Sequence, residues 1–501
     1  MMECMSTVSY SILINGEPLG TIHPNRGIRQ GDPLSPYLFL LCTEGLHGLI
    51  SHAASKGHIR GISICRSGPR LTHLFFADDS LLFCKATIQE CQYVQDLLRI
   101  FEEASGQKLN RDKTTLFFSK VTPHDVQASI IDMLGVPEIK QYEKYLGLPS
   151  FIGRGKKASL MFIKERVWAK IRGWKGKLLS QAGRELLLKA IVQAILAYSM
   201  SCFKLPQSLC YEIEIMIRKF WWGQRGKRRK IHWVKWSKMC RPKHEGGMGF
   251  CELRKFNDTL LAKQVWRLMI SQDSLFSRFF KSKFFPHGTI FDAKENKGSF
   301  AWKSILKGCE VIKKGMRWRI GDGSCVKIYQ DHWLPGSNLG KVLSPMLDIN
   351  MDATVDILID QDLLCWRILE IERLFLPFEA KLIQGIPLSF VRNKDSIFWP
   401  QNHDRNYSVK SGYKLLLEDE VAYLPSASNP CPLKGVWKEI WKLKVPPRIR
   451  NLLWHAGFDS LPMCVNLAKR KVLTDTLCPH CNLEPEDTVH TLWSCPSLTE
   501  V

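Results

Sequence analysis

Residues 74–83 read Leu-Phe-Phe-Ala-Asp-Asp-Ser-Leu-Leu-Phe, and this stretch decides the fold. Two short apolar runs flank a pair of carboxylates, which predicts two strands with the acidic pair at the turn between them. Because successive side chains of an extended chain point to opposite faces, we expect Asp78 to bind a hard cation such as Mg²⁺ directly and Asp79 to support it. The alternative is a solvated hairpin turn without a ligand, since aspartate is a common turn residue.

A second segment precedes the acidic pair and reads Arg-Gly-Ile-Arg-Gln-Gly-Asp-Pro-Leu-Ser at residues 26–35. Ser35 followed by a proline predicts a helix N-cap, with the helix running through the apolar stretch that ends near Ala54. Arg26 and Gln30 beside that helix N-terminus suit a pocket for nucleotide phosphate and base, and Gly31 allows close approach to a ligand. The alternative is an ordinary loop and helix cap.

Further elements are predicted around these two segments. Residues 9–20 favour a hairpin that turns at Asn15-Gly16. Residues 88–103 have apolar side chains at helical spacing, and residues 116–118 are typical of a strand. Residues 105–113 add a glycine turn and end at Lys113. Together these elements predict a partial α+β domain.

Four ordered segments resemble the palm of a reverse transcriptase, specifically that of plant LINE-type non-LTR retrotransposons. They are residues 26–35, 76–79, 105–113 and 145–149, the last reading Tyr-Leu-Gly-Leu-Pro. The resemblance implies RNA-directed DNA synthesis by two-metal phosphoryl transfer, with Mg²⁺ and deoxynucleotides, an RNA template and a DNA primer. It also implies that Asp78 and Asp79 are catalytic, that Arg26, Gln30 and Gly31 shape the nucleotide and template pocket, and that Lys113 lies near the leaving pyrophosphate.

The chain lacks one part that the family resemblance predicts. A first catalytic aspartate is expected on a strand before Arg26, but the 25 residues that precede Arg26 contain no aspartate. A two-metal site needs that additional carboxylate. We therefore expect a palm without its fingers and first catalytic strand, inactive as a polymerase when alone. The alternative is a non-catalytic nucleic-acid-binding, zinc-stabilised remnant.

The net charge indicates a polyanionic partner. Among 501 residues, 71 Lys and Arg stand against 48 Asp and Glu, which gives a net charge of +23. Nucleic acid is the first candidate and a membrane surface is the competitor. The most apolar stretch, residues 186–203, contains Lys189, so we expect no membrane partner. The 17 cysteines, odd in number and scattered, favour a reducing compartment, nuclear or cytoplasmic, over secretion.

A change in composition marks the end of the palm. None of the 16 tryptophans precedes Trp168, and the sequence from about residue 150 becomes helical and basic. We expect a partial palm at 1–150, a helical basic thumb- or connection-like region at 151–298, a mixed connection at 299–400 and a zinc-binding domain at 401–501. Within the second region, one helical face is predicted to be core: Cys210, Ile213, Ile217, Phe220 and Trp221.

Just after that helix comes a cluster of basic and aromatic residues. It is predicted to contact nucleic acid through phosphate neutralisation and base stacking. Its members are Arg225, Lys227, Arg228, Arg229, Lys230, Trp233 and Trp236. The alternative is a solvated charged loop that doubles as a nuclear import signal.

A metal-binding pattern lies near the end of the chain. Cys478 and Cys481 form a Cys-x-x-Cys pair that is followed by His490 and Cys495. Three thiolates and one imidazole match a closed tetrahedral Zn²⁺ site, which stabilises a fold and leaves no open position for catalysis. Four unrelated residues are the alternative. The segment resembles the zinc-binding domain that follows plant LINE-type reverse transcriptases; relatives continue into a ribonuclease H-like domain, so we expect a chain cut at both ends.

Overall fold

The computed structural model of the chain forms two compact units. One comprises Met1–Phe151 with Gln272–His287, and the other comprises Ile152–Ser271 with Gly288–Val501. The residues that the structure describes are 7–23, 31–66, 68–139, 144–150, 152–174, 179–223, 230–295, 298–336, 340–346, 349–389, 391, 393–422 and 434–500.

The strands of the first unit are short and pair as antiparallel hairpins. They are Tyr10–Ile14 with Glu17–Ile22, Ile62–Ser63 with Arg70–Leu71, His73–Phe76 with Asp79–Leu82, and Lys144–Tyr145 with Leu148–Pro149. The predicted hairpin near the N-terminus is confirmed. Its turn residues Asn15 and Gly16 both have positive φ, 53° and 90°, as a type I′ turn requires.

Helices provide the rest of the first unit. They are Ser35–Ser55, Ile88–Ser105, His124–Leu134 and Leu275–Phe284. The helix predicted to begin at Ser35 does so, but the predicted N-cap is wrong. Leu34 occupies the cap position, and its N–H donates to the Asp32 carboxylate at 2.8 Å. Ser35 is therefore the first helical residue and not the cap.

The helix that begins at Ile88 is bounded by its own sequence. Thr87 Oγ1 accepts the Glu90 N–H at the start, and Gly106 ends the helix with φ +71°. The predicted helix is therefore confirmed. The strand predicted for residues 116–118 is wrong, because only Leu116 bridges to another segment, at Glu138.

A small apolar core lies beneath the hairpin that bears the two aspartates. Helix Ser35–Ser55 contributes Leu46, Ile50 and Ala53, and the next helix contributes Leu97. Phe75 and Leu82, one from each strand of the hairpin, are half-buried against this core. Burial of the apolar strand residues fixes the base of the hairpin and leaves its tip at the surface.

The second unit is mostly helical, as predicted. Its helices up to residue 315 are Lys156–Ser159, Met161–Gly173, Gln181–Leu187, the π-helical turn Leu188–Val192, Gln193–Cys202, Gln207–Trp221, Trp236–Met239, Leu253–Ile270, Phe300–Lys307 and Cys309–Gly315, with 3₁₀ turns at Lys243–Glu245 and Ile290–Asp292. The predicted core face of Gln207–Trp221 is confirmed, because all five of its side chains are buried. Buried Asn257 ties two helices together by donating to the carbonyls of Met200 and Phe203.

Residues 317–398 combine short strands and helices. Strand Arg317–Arg319 pairs with Ser396–Phe398, and Ile359–Asp360 pairs with Cys365–Trp366. The remaining elements are the 3₁₀ turn Val355–Leu358 and the helices Ile368–Leu374 and Pro377–Gln384. The Gly321-Asp322-Gly323 turn of this part, which the sequence pattern also predicts, is held by the Asp395 carboxylate, which accepts the N–H groups of Gly321, Gly323 and Cys325.

The C-terminal part is also helical. Its elements are Val409–Ala422, Lys434–Lys442, Pro447–Gly457, Cys464–Lys469, the π-helical turn His490–Ser494 and the 3₁₀ turn Pro496–Glu500. Residues 422–432 are rich in proline and serine, which predicts a linker or long loop, and they lie outside the described residues apart from Ala422.

One continuous helical run, Gln181–Cys202, has the length and composition that could cross a membrane. Core helices pass the same test. Leu188, Val192, Leu196 and Met200 of this run are at most 2% exposed and face the interior of the unit. These four side chains place one face of the run in the core of the unit.

Candidate functional site

The acidic hairpin, residues 73–82, presents its two aspartates at the tip. Phe76 pairs with Asp79 and His73 pairs with Leu82, so Ala77 and Asp78 form the two-residue turn. Both carboxylate side chains are exposed. The predicted pair of strands and acidic turn is confirmed.

Ala77 gives the tip an unusual backbone conformation. Its φ is +48°, in the left-handed region that an L side chain enters at a cost. Glycine is the usual residue there, and a sequence pattern without glycine gave no signal of it. The strained residue directly precedes the two aspartates and so helps to set the direction in which Asp78 leaves the strand.

The donor chemistry of the tip suits a hard cation. Mg²⁺ is commonly bound by one or two carboxylates while its remaining ligands come from water and substrate phosphates. Asp78 and Asp79 supply such a pair at a position open to solvent. The tip therefore fits Mg²⁺ held jointly by protein and substrate.

A histidine pair braces the opposite end of the hairpin. His73 Nε2 lies 2.7 Å from Nδ1 of His47 on helix Ser35–Ser55. Burial, followed by the neighbouring His47, lowers the pKa of His73 below its usual value. The lowered pKa favours the neutral form of His73, and the contact with His47 joins the hairpin to the helix by a hydrogen bond.

The predicted nucleotide-pocket residues are described only in part. Arg26 and Gln30 lie outside the described residues, whereas Gly31 is exposed with φ +92° directly before the helix cap. Lys113 is exposed in a turn in which its N–H donates to Asn110 Oδ1 at 3.2 Å. Their proximity to a nucleotide remains a prediction.

Four metal-binding side chains come together in the C-terminal part. The ligand atoms of Cys478, Cys481, His490 and Cys495 all lie within 4.8 Å of one another. The sulfurs of Cys478 and Cys495 are 4.0 Å apart, and Cys481 Sγ lies 3.3 Å from His490 Nε2. These separations and the S₃N donor set fit a tetrahedral zinc ion.

Backbone N–H groups favour the thiolate forms that zinc requires. The N–H groups of Cys481 and His480 lower the pKa of Cys478. The N–H of Leu483 does the same at Cys481, whose pKa is about 6. Burial raises the pKa of Cys495, so this thiol depends most on a metal for its deprotonation.

Residues outside the Cys/His pattern orient the cluster, and the spacing of the pattern did not reveal them. Glu484 Oε2 lies 3.3 Å from His490 Nδ1, the ring nitrogen that faces away from the sulfurs. Asp487 accepts the His490 backbone N–H at 2.7 Å. Asp487 thus holds the backbone of His490, whereas Glu484 places a negative charge behind the ring without the geometry of a hydrogen bond to Nδ1.

The predicted basic–aromatic cluster is described only at its end. Arg225, Lys227, Arg228 and Arg229 lie outside the described residues, and Lys230 is exposed. Trp236 is half-buried and stacks on Phe250 with ring centroids 5.3 Å apart. One face of Trp236 is therefore occupied by protein. Trp233 is half-buried, and its carbonyl accepts from Arg470 at 3.4 Å.

Two family models match the chain. The one described as reverse transcriptase (RNA-dependent DNA polymerase) covers residues 2–148, which include the acidic hairpin. The one described as zinc-binding in reverse transcriptase covers residues 407–501, which include the Cys/His cluster. Both sites described above therefore fall inside a matched region.

Curated relatives agree with these matches. A putative ribonuclease H protein of Arabidopsis thaliana is 30% identical over 67% of this chain and 54% of its own length. An uncharacterized mitochondrial protein of the same plant is 39% identical over 28% of this chain and 93% of its own length. The transposon TX1 uncharacterized 149 kDa protein of Xenopus laevis is 25% identical over 54% of this chain and 20% of its own length. The chain thus spans about half the length of the first of these relatives.

Proposed function

This chain belongs to the reverse transcriptase family of non-LTR retrotransposons, and from that premise we propose that it is part of an RNA-directed DNA polymerase of a LINE-type element. The observation that supports this most directly is the acidic hairpin, whose tip carries Asp78 and Asp79 in the open. The positive φ of Ala77, directly before the two carboxylates, is a backbone outlier of the kind that clusters at functional sites.

In the proposed reaction, the tip holds divalent metal beside the primer end. Asp78 and Asp79 would hold Mg²⁺ there, and the ion would supply charge neutralisation at the transferring phosphoryl group and alignment of the attacking and leaving oxygens. Asp78 is the direct ligand, and Asp79, the first residue of the second strand, supports it. The apolar strands below the tip keep both carboxylates fixed relative to the helix Ser35–Ser55.

Other residues have proposed roles in binding the substrates. Arg26, Gln30 and Gly31 bind nucleotide and template at the start of helix Ser35–Ser55, and Lys113 lies near the leaving pyrophosphate. The proposed contacts to the nucleic-acid backbone and bases are Arg225, Lys227, Arg228, Arg229, Lys230, Trp233 and Trp236. The net charge of +23 supports binding of an RNA template and a DNA primer.

The Cys/His cluster has a structural role in this proposal. Cys478, Cys481, His490 and Cys495 hold one zinc ion with a closed set of four ligands, so the ion stabilises the fold and does not activate water. We retain the division into a palm at 1–150, a helical basic region at 151–298, a connection at 299–400 and a zinc-binding domain at 401–501 as part of the proposal.

Capture of the next nucleotide tests the proposal without requiring turnover. The chain is mixed with an RNA template and a DNA primer that ends in a dideoxynucleotide, and the complex is challenged with heparin. We expect Mg²⁺ and the deoxynucleotide complementary to the template to increase the fraction that resists heparin. A mismatched nucleotide, or the Asp78→Asn variant, should give no increase.

Two results separate the proposal from its alternative. Nucleic-acid binding that is equally heparin-sensitive with every nucleotide would identify a non-catalytic binding protein. A complementary-nucleotide effect that persists in both Asp78→Asn and Asp79→Asn would place the metal site elsewhere and refute the role of the hairpin.

A further inference from the structure

Helix Met161–Gly173 exposes a tryptophan at the edge of its buried face. Ile163, Val167 and Ile171 are at most 8% exposed and pack into the second unit. Trp168 is 51% exposed, although tryptophan is among the largest apolar side chains. Core packing therefore does not explain this residue.

The segment of the chain that carries Trp168 is strongly basic. Residues 152–174 contain seven lysines and arginines against one acidic residue, Glu165. Arg166, Lys170 and Arg172 on the helix are exposed. An exposed aromatic ring among cations offers a π-face to a base and positive charges to the adjoining phosphates.

Helical spacing aligns three of these side chains. Lys164, Trp168 and Arg172 follow one another at intervals of four residues, so they form one stripe along the helix. Lys164 Nζ lies 2.5 Å from Glu212 Oε2, and Lys157 Nζ lies 2.6 Å from Oε1 of the same carboxylate. Glu212 thus positions the start of the stripe, and Arg172 at the other end is exposed.

A second exposed tryptophan provides an internal comparison. Trp493 is 87% exposed, but it lies in a segment, residues 472–500, with five acidic residues and no lysine or arginine. Both tryptophans are therefore exposed, but the segments that carry them have net charges of opposite sign. Only the environment of Trp168 suits a polyanion.

We propose that the stripe Lys164–Trp168–Arg172 is a contact for single-stranded nucleic acid, in which one unpaired base stacks on Trp168 and the neighbouring phosphate meets Arg172. The contact rests on the proposed function, because it assumes that the chain binds nucleic acid. It gives residues 152–174 a specific role in holding an unpaired strand. Duplex nucleic acid, whose bases are stacked on one another, does not offer a free base to this ring.

Fluorescence anisotropy with the full zinc-loaded chain tests the stripe. The probe is a labelled single-stranded RNA of about 20 nucleotides, longer than the usual site size of one binding module. Trp168→Ala should weaken binding about five-fold or more, the loss expected for one stacked base. Trp168→Phe should restore most of the affinity, and the matched variant Trp493→Ala should bind as the unchanged chain does.

A probe without bases separates stacking from general damage to the fold. Trp168→Ala should bind labelled heparin as tightly as the unchanged chain. Arg172→Gln should weaken binding of both probes and reduce the slope of log affinity against log salt for the RNA by about 0.7, the value for one phosphate of a single strand.

The outcomes test the stripe and the proposed function separately. RNA binding by the unchanged chain that Trp168→Ala leaves intact, or an equal loss for RNA and heparin, refutes the stripe and leaves the proposed function standing. Absence of salt-sensitive RNA binding by the unchanged chain refutes the proposed function itself.

Discussion

The indole Nε1 of Trp454 donates a hydrogen bond to the backbone carbonyl of Gly246 at 2.7 Å, across 208 residues of sequence. Trp454 is 1% exposed, and the ring of Trp437 stacks on Phe458 beside it. This contact joins the helices that lead to the zinc cluster to the helical basic region inside one compact unit. The C-terminal helices therefore share a core with residues far earlier in the chain.

Replacing Trp454 by phenylalanine should destabilise the second unit. The change keeps an aromatic ring but leaves the buried Gly246 carbonyl without its donor, which costs about 1–3 kcal/mol. Urea denaturation monitored by circular dichroism measures the loss. Trp493→Phe is the matched control and should change stability little, because Trp493 is 87% exposed. Equal stability of the two variants would contradict the importance of this contact.

Replacing Gly247 by alanine should be more damaging than a glycine replacement in an open helix. A Cβ at Gly247 would collide with the backbone carbonyl oxygen of Arg241, and backbone cannot turn aside as a long side chain can. Nothing lies within 4 Å of a Cβ at Gly45, on helix Ser35–Ser55, where alanine should stabilise by about 0.5–1 kcal/mol. Thermal melts of the two variants should shift in opposite directions. A Gly247→Ala variant as stable as the unchanged chain would contradict the close approach of Gly247 to the Arg241 carbonyl.

Acid should destabilise the second unit through His455. Burial lowers the pKa of this histidine to about 4 from the 6.5 of an exposed imidazole. Between these pH values the unfolded chain binds the proton more readily than the folded chain does. The stability that neutral His455 contributes is therefore complete above pH 6.5 and is lost as pH falls toward 4.

This difference in proton binding should lower the free energy of unfolding by about 2 kcal/mol between pH 7 and pH 5. Urea denaturation at the two pH values should show a smaller loss for His455→Gln than for the unchanged chain. The control is Asn451→Ala, which changes a buried side chain of the same helix that cannot bind a proton and should therefore leave the pH dependence unaltered. An identical pH dependence in His455→Gln would show that this residue is not the acid-sensitive group.

Removing zinc should loosen the end of the chain and leave the acidic hairpin folded. The Cys478→Ser variant should lose its zinc, measured with a chromogenic chelator, and become sensitive to proteolysis within residues 459–500. Thr488 and Asn466 both hydrogen-bond to Asp459, so loss of the cluster should be felt as far as that residue. Cys365→Ser, which changes an exposed cysteine, should retain zinc and protease resistance. Retention of zinc by Cys478→Ser would refute the assigned ligands.

The sequence predicted the sites better than the supports around them. Both the acidic hairpin and the Cys/His cluster depend on residues close together in the chain, where local spacing restricts the geometry. The sequence predicts Ser35 as the cap of helix Ser35–Ser55, whereas the structure places Leu34 at the cap position, with its N–H bound to the Asp32 carboxylate. Two capping residues this close compete, and sequence alone does not rank them.

Sequence patterns did not predict the contacts between residues that are far apart in the chain. Neither the hydrogen bond from Trp454 to Gly246 nor the histidine pair His47–His73 follows from periodicity. The predicted strand at 116–118 failed because an apolar run forms a strand only where a partner edge meets it, and only Leu116 finds one. The left-handed Ala77 also gave no signal, since glycine normally marks that conformation.

Iron-directed cleavage tests the metal-binding hairpin most directly. Fe²⁺ with ascorbate and peroxide replaces Mg²⁺ and cuts the backbone beside the bound ion, in the presence of primer, RNA template and the complementary deoxynucleotide. We predict fragments that end within a few residues of Asp78, suppressed by excess Mg²⁺, absent in Asp78→Asn and unchanged in the exposed-surface control Asp132→Asn. Cleavage elsewhere in the chain, or at the hairpin regardless of Asp78, would contradict the account.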